Sequence, residues 1–261
     1  MLHSVWSFRS FIQGLVFKEF RDRSARTIWG HAWLVIEPAV QIGIYVVIFS
    51  SVLQAKLPGT GDRLAYSIYL CSGLLTWNFF AGLLLQGRTL FLEHADLLRT
   101  MSFPRSTLPL ALLGRNVINA GIPIVIFLVL MMLIGRWPGP IVLTILPFLL
   151  IQTLLGLGLA VLVGTLNVFI RDVGAFVAVA VQFWFWLTPI VYPVEIVPEA
   201  ARGLLDWNPM LHLVAAYQRV MVEGVAPNWL TLVPLSILTL VVVGGAWLVF
   251  RRLSPDLVDE L

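Results

Sequence analysis

Six stretches of this chain are long and apolar enough to cross a bilayer as helices, and little else can be built from such a pattern. They run Trp33–Leu53, Tyr66–Leu85, Leu108–Ile134, Ile141–Phe169, Val173–Val191 and Trp229–Phe250, with Tyr66–Leu85 the weakest of the set. Hydrocarbon offers no partner to backbone N–H and C=O groups, so spans of this kind close their hydrogen bonds internally. The expected fold is an all-α integral membrane protein with six transmembrane helices, forming one domain over residues 1–261. Charged residues make up 12% of the chain, roughly half of what a soluble domain carries.

Position, more than total, is what the charges report. Twelve of the seventeen Lys and Arg residues flank alternate ends of the spans: Arg9, Lys18, Arg21, Arg23 and Arg26, then Arg88, Arg99, Arg105 and Arg115, then Arg171, Arg251 and Arg252. The opposite loops hold Lys56, Arg63, Arg136, Arg202 and Arg219. By the positive-inside rule, both termini are expected in the cytoplasm. A net charge of +3 gives no reason to invoke nucleic acid. The N-terminus is basic, lacks a short apolar core with a small-residue cleavage site, and reads as having no removable signal.

Two segments outside the spans have helical patterning. Phe8, Phe11, Ile12, Leu15 and Val16 recur at helical spacing opposite Arg9, Gln13 and Lys18, which predicts an amphipathic helix flat on the cytoplasmic leaflet. Leu90–Met101 mixes charge with apolar residues and stops near Pro104, which predicts a short cytoplasmic helix with one sticky face. The acidic end, Asp256, Asp259 and Glu260, reads as a tail without a role.

Several kinds of chemistry are missing. The only lysines, Lys18 and Lys56, follow no glycine-rich phosphate loop, so no nucleotide site is expected in this chain. The single cysteine, Cys71, excludes an intrachain disulfide and a Cys-based metal site. His3, His31, His94 and His212 are scattered without ligand spacing, and hydrogen-bonding anchors are the plainer reading of His31 and His94. Neither a metal nor a catalytic group is expected. Within the spans, Glu37-Pro38 stands out: Pro38 removes a donor and can kink the helix, while Glu37 reads as structural before it reads as a transport group. Ile141–Phe169 and Trp229–Phe250 carry no carboxylate, which argues against an ion-coupled carrier.

The aromatics are the remaining signal. Trp77, Phe80, Phe183, Trp184, Phe185, Trp186 and Tyr192 gather in and just after the second and fifth spans. A helix turns about 100° per residue, so Phe183–Trp186 cannot all face lipid. Rings turned inward would suit a sugar polymer sliding over flat apolar faces, although helix packing could equally bury them. Then come about 35 residues with Pro193, Pro198 and Pro209, long for a connection and still apolar. This segment is expected to be a re-entrant helical hairpin between the fifth and sixth spans.

Taken in order, Gly30-His31-Ala32-Trp33-Leu34-Val35-Ile36-Glu37-Pro38, Phe103-Pro104-Arg105, Arg171-Asp172-Val173, Gln182 through Pro193, Asn208-Pro209-Met210-Leu211-His212 and Gln218-Arg219 resemble the membrane subunit of ABC-2 type exporters of bacterial O-antigen and related polysaccharides. The resemblance covers nearly the whole chain. It implies a homodimer in the bacterial inner membrane, two copies of a separate ABC ATPase that bind ATP and Mg, and a lipid-linked polysaccharide passing between the two membrane subunits. It also makes Leu90–Met101 a coupling helix, with Glu93, Asp96 and Arg99 on the ATPase, against the alternative of a solvated loop. Arg171 and Asp172 are either part of that contact or a pin for a tight turn. Capsule, teichoic acid, drug and small-lipid exporters share the resemblance. A membrane-embedded glycan transferase would instead need Glu195, Glu199 and His212 as its chemistry.

Overall fold

The computed structural model describes residues 9–24, 29–52, 57, 62–100 and 103–261. Phe8, Arg26, Leu53, Lys56 and Met101 lie outside these. Among the described residues the fold is all-helical. Helix α1 is Arg9–Ser24, α2 is Trp33–Val47 with a π-helical turn Ile48–Val52, and α3 is Arg63–Gly87. Two short helices follow, α4 (Leu90–Glu93) and α5 (Ala95–Thr100), then α6 (Thr107–Leu133) and α7 (Leu146–Phe169), the latter entered through a 3-10 stretch Gly139–Ile145. After α8 (Asp172–Trp186) come α9 (Glu199–Leu205), α10 (Pro209–Glu223) and α11 (Leu232–Leu253).

Five of these are long and apolar enough to cross a membrane: Trp33–Ser50, Leu64–Gly87, Thr107–Leu133, Gly139–Phe169 and Trp229–Leu253. The protein is therefore a multi-pass membrane protein. The fifth expected span is shorter than read, because helix α8 stops at Trp186 and the chain turns through Leu187–Tyr192. Pro189 explains the stop: it offers no N–H and disfavours helical backbone at Thr188.

Helix α3 is the axle of the bundle. Of its most apolar stretch 72% is buried, against 11% for α2 and 17% for α6 and α11. Helices α2, α6, α7, α8 and α10 all pack against it, and α11 packs along α7. The residues that made this span look weak, Ser67, Ser72 and Thr76, are what let it sit inside, since each is buried. Ser72 and Thr76 donate to the Tyr69 and Ser72 carbonyls at 2.9 and 2.8 Å.

Side-chain amides from its neighbours fasten α3 in place. Asn116 of α6 donates to the Phe79 carbonyl at 3.2 Å, Gln152 of α7 to Thr76 at 2.7 Å, and Gln218 of α10 to Tyr69 at 3.4 Å. A carbonyl oxygen has two lone pairs, so it can accept a cross-helix N–H as well as its own intrahelical one. Such interhelical bonds hold helices together where lipid supplies no hydrophobic drive between them. Close approach does the rest. At the α3–α7 crossing, a Cβ on Gly87 would collide with Ala160, and one on Gly164 with the Gly87 carbonyl.

The N-terminal helix lays one side on α6. Val16 is buried, with Ile12 and Leu15 packed around the α6 residue Ala111, while Gln13 and Lys18 are exposed. The C-terminal tail is not idle: Leu257 is fully buried with Leu90, Phe91 and Leu98, and Arg105 donates to Ser254 at 3.0 Å.

The crossing gives a direct test. Gly164→Leu drives a side chain into the α3 backbone and should lower the thermal midpoint of the detergent-purified protein, overpacking costing about 1–3 kcal/mol. Gly245→Leu on α11, where nothing lies within 4 Å, should leave it unchanged.

Candidate functional site

The aromatic run divides as helical geometry requires. Trp184 and Phe185 turn inward. Trp184 meets Phe80 at 5.2 Å and 87° and Trp77 at 6.1 Å and 80°, and Phe185 meets Trp77 at 5.7 Å. Edge-to-face pairs of this kind add to the burial energy of the rings. Trp77 and Phe80 lie in the subunit interior, 4% and 0% exposed, as backing to α8. Phe183 and Trp186 point outward, 67% and 59% exposed, on a face shared with Phe176, Val179 and Leu187.

Polar groups fix this aromatic platform at its end. Asn208, capping α10, accepts the Trp184 indole N–H at 2.8 Å and the Met210 N–H at 3.0 Å through the same Oδ1. Its amide donates to the Thr188 hydroxyl at 3.0 Å. From α3, the Tyr66 hydroxyl donates to the Val191 carbonyl, and Tyr69 reaches the Pro189 and Tyr192 carbonyls at 3.1 Å each. Tyr192 donates back to the Trp186 carbonyl at 2.8 Å.

At the other end of α8 lies a second knot. Asn167 donates to the Arg88 carbonyl at 2.7 Å and accepts the Gly174 N–H at 2.7 Å, while the Arg88 guanidinium donates to the Gly174 carbonyl at 2.7 Å. The ends of α3, α7 and α8 are thus bound together. A Cβ on Gly174 would lie 2.6 Å from Asn167 Oδ1, so that position admits only glycine without displacement. Helices α4 and α5 begin directly after this knot. Leu90, Phe91 and Leu98 face inward, while Glu93, Asp96 and Arg99 are exposed. Thr89 donates to the Glu93 carboxylate at 2.7 Å. Arg171 and Asp172 are exposed at the α7–α8 turn, Asp172 in the first turn of α8, where the helix dipole favours a negative charge. The single helix expected over Leu90–Met101 is two helices, broken at His94, whose Nδ1 lies 2.8 Å from the Leu90 carbonyl.

Glu37 and Pro38 both border a cavity of about 280 Å³ between α2, α3 and α6. Gln41, Asn78, Gln86, Asn116 and Asn119 share it, a polar lining that charge counting along the sequence missed. The detectable signal was amide residues inside apolar spans. Among the described residues, no group of His, Cys, Asp or Glu could hold a metal. Glu195 and Glu199 are exposed, and the His212 ring lies 2.9 Å from the Asp206 carbonyl.

Residues 11–222 match the protein family described as ABC-2 type transporter. The chain is 27% identical over 263 residues to the O-antigen export system permease protein RfbA of Myxococcus xanthus, covering 100% of this chain and 99% of that one. Its counterpart in Klebsiella pneumoniae is 25% identical over 250 residues, covering 94% and 92%. The polysialic acid transport protein KpsM of Escherichia coli is 20% identical over 237 residues, 88% of each chain.

The Asn208 knot yields a graded prediction. Asn208→Ala strands the Trp184 N–H and should destabilise the protein by about 1–3 kcal/mol, whereas Asn208→Asp keeps the shared acceptor and should recover much of that loss. Thermal melts of the two variants beside the parent check the order.

Proposed function

We propose that this chain, which belongs to the ABC-2 type transporter family, is the membrane subunit of an ATP-driven exporter that moves a lipid-linked polysaccharide of the O-antigen class across the bacterial inner membrane. The observation that carries the reading is similarity along essentially the full length of an O-antigen export permease. The weaker likeness to a polysialic acid transport protein favours a capsular polysaccharide as the second reading.

In this reading α8 completes a sixth crossing together with the turn after it, and α9 and α10 form the re-entrant hairpin on the outer side. Both termini are cytoplasmic, in keeping with the basic residues near α1, α4 and α11. Two copies of the chain meet so that the outward rings of α8, Phe183 and Trp186, with Tyr192 beside them, form the wall of the passage. Flat rings offer a sugar chain contact without a charge to hold it. Trp77, Phe80, Trp184 and Phe185 support that wall from behind.

Two ABC ATPase subunits bind ATP and Mg and dock on the exposed charges of α4 and α5, Glu93, Asp96 and Arg99, with Arg171 and Asp172 at the margin. The apolar side of the same short helices is seated in the bundle, so force applied outside reaches the Arg88–Asn167–Gly174 knot and through it α8. ATP binding then shifts the population between closed and open passages. The chain itself performs no chemistry; it binds, guides and opens.

Loss of the protein should leave lipid-linked glycan on the cytoplasmic face and none at the cell surface, read by surface labelling of intact and permeabilised cells. Normal surface glycan in the deletion strain refutes the function. Glu93→Lys with Asp96→Lys should keep the protein in the membrane yet abolish its co-purification with the ATPase; retained assembly and export would remove the docking surface.

A further inference from the structure

The cavity between α2, α3 and α6 is unusual for its place in the molecule. It runs along α2 from Leu34 to Tyr45 and along α3 from Cys71 to Gln86, and meets the middle of α6 from Asn116 to Pro123. It belongs to one subunit and shares no lining residue with the aromatic face of α8. Its walls carry five side-chain amides, each with acceptor and donor groups, and one carboxylate. Gln86 Oε1 is buried and has no hydrogen-bond partner. Asn116, 2% exposed, gives one N–H to the Phe79 carbonyl, and its Oδ1 lies beside Gly82 on the cavity wall. Gln41 gives its N–H to the Tyr45 hydroxyl at 3.0 Å, leaving its own carbonyl oxygen free to accept. Glu37 adds a carboxylate at the exposed rim. Among the described residues, no Lys or Arg lines the space.

That inventory selects among ligands. An acyl chain would bury these polar groups against hydrocarbon and leave them unpaired, which is costly. A phosphate would meet a carboxylate and no cation. A neutral ligand carrying several hydroxyl donors satisfies the wall, and a volume of about 280 Å³ matches the small end of binding pockets. We infer that this cavity is a sugar-binding subsite within each subunit, which holds a hydroxyl-rich ring of the glycan away from the aromatic face of α8. The inference rests on the polysaccharide reading given above and adds to it a place where the sugar is held by hydrogen bonds.

The test uses the full complex with its ATPase in lipid discs. A reporter thiol is placed on the cavity wall by Ala120→Cys in a chain carrying Cys71→Ser, and its rate of reaction with a small neutral thiol reagent is read by mass spectrometry. The probe is the water-soluble oligosaccharide released from the cell's own glycan by mild acid. At ten times its Kd it should slow labelling about tenfold, by simple occupancy. Gln86→Leu, or Asn119→Leu should the first fail to fold, should weaken that protection, moving the half-protecting concentration up about tenfold for one lost hydrogen bond. Protection by sodium against choline, with none by the oligosaccharide, would make this a cation site and overturn the inference. Unchanged labelling, in a complex whose ATP hydrolysis still responds to lipid-linked glycan, would overturn it while leaving the export function standing. Absence of any response to glycan in the unmodified complex would instead strike the function itself.

Discussion

The backbone carbonyls of α3 are the fixed points from which the rest of the bundle is hung. Asn116, Gln152 and Gln218 reach three of them from α6, α7 and α10, and Asn167 reaches the Arg88 carbonyl just past its end. In hydrocarbon, apolar side chains gain nothing by leaving lipid for a neighbouring helix, so shape and hydrogen bonding must choose which helices meet. An amide N–H that finds no partner in that medium is a liability, and each of these amides gives one to α3 or to the residue just past it. The glycine contact between α3 and α7 then sets the spacing that lets Gln152 and Asn167 reach.

Much of this was legible in the sequence, and the failures have physical causes. Long apolar runs located α2, α6, α7 and α11 nearly to their ends. Tyr66–Leu85 looked weak because Ser67, Ser72, Thr76 and Asn78 lower its hydropathy, yet three of those four are buried. Hydropathy measures affinity for lipid, and the most central helix of a bundle meets the least lipid. The end of α8 was misread because the turn after Trp186 is as apolar as the helix; Pro189 was the better marker. The site was harder. Counting charges found Glu37 and passed over Gln41, Gln86, Asn116 and Asn119, which are neutral yet expensive to place in a membrane.

The split of the aromatic run shows how one short sequence serves two surfaces. Trp184 and Phe185 are structural: they lock α8 to α3 through Trp77 and Phe80, with the Trp184 N–H tied to Asn208. Their neighbours Phe183 and Trp186 are left outside because the first pair is held inside. Composition alone could not tell the pairs apart, since the difference lies in a rotation of about 100° between consecutive residues.

Helix α8 is tethered to α3 twice, by Arg88 and Asn167 where it begins and by Tyr66 and Tyr69 on the turn that follows it. A rod pinned near both ends to one neighbour has lost its freedom to slide along that neighbour and most of its freedom to tilt. What remains is travel in company: bonds of this kind tie α3, α7 and α8 into a single plate. In the proposed exporter, a passage bordered by such a plate would change its bore when whole plates part, like the jaws of a vice, and its ring-lined surface would keep its internal spacing at every width.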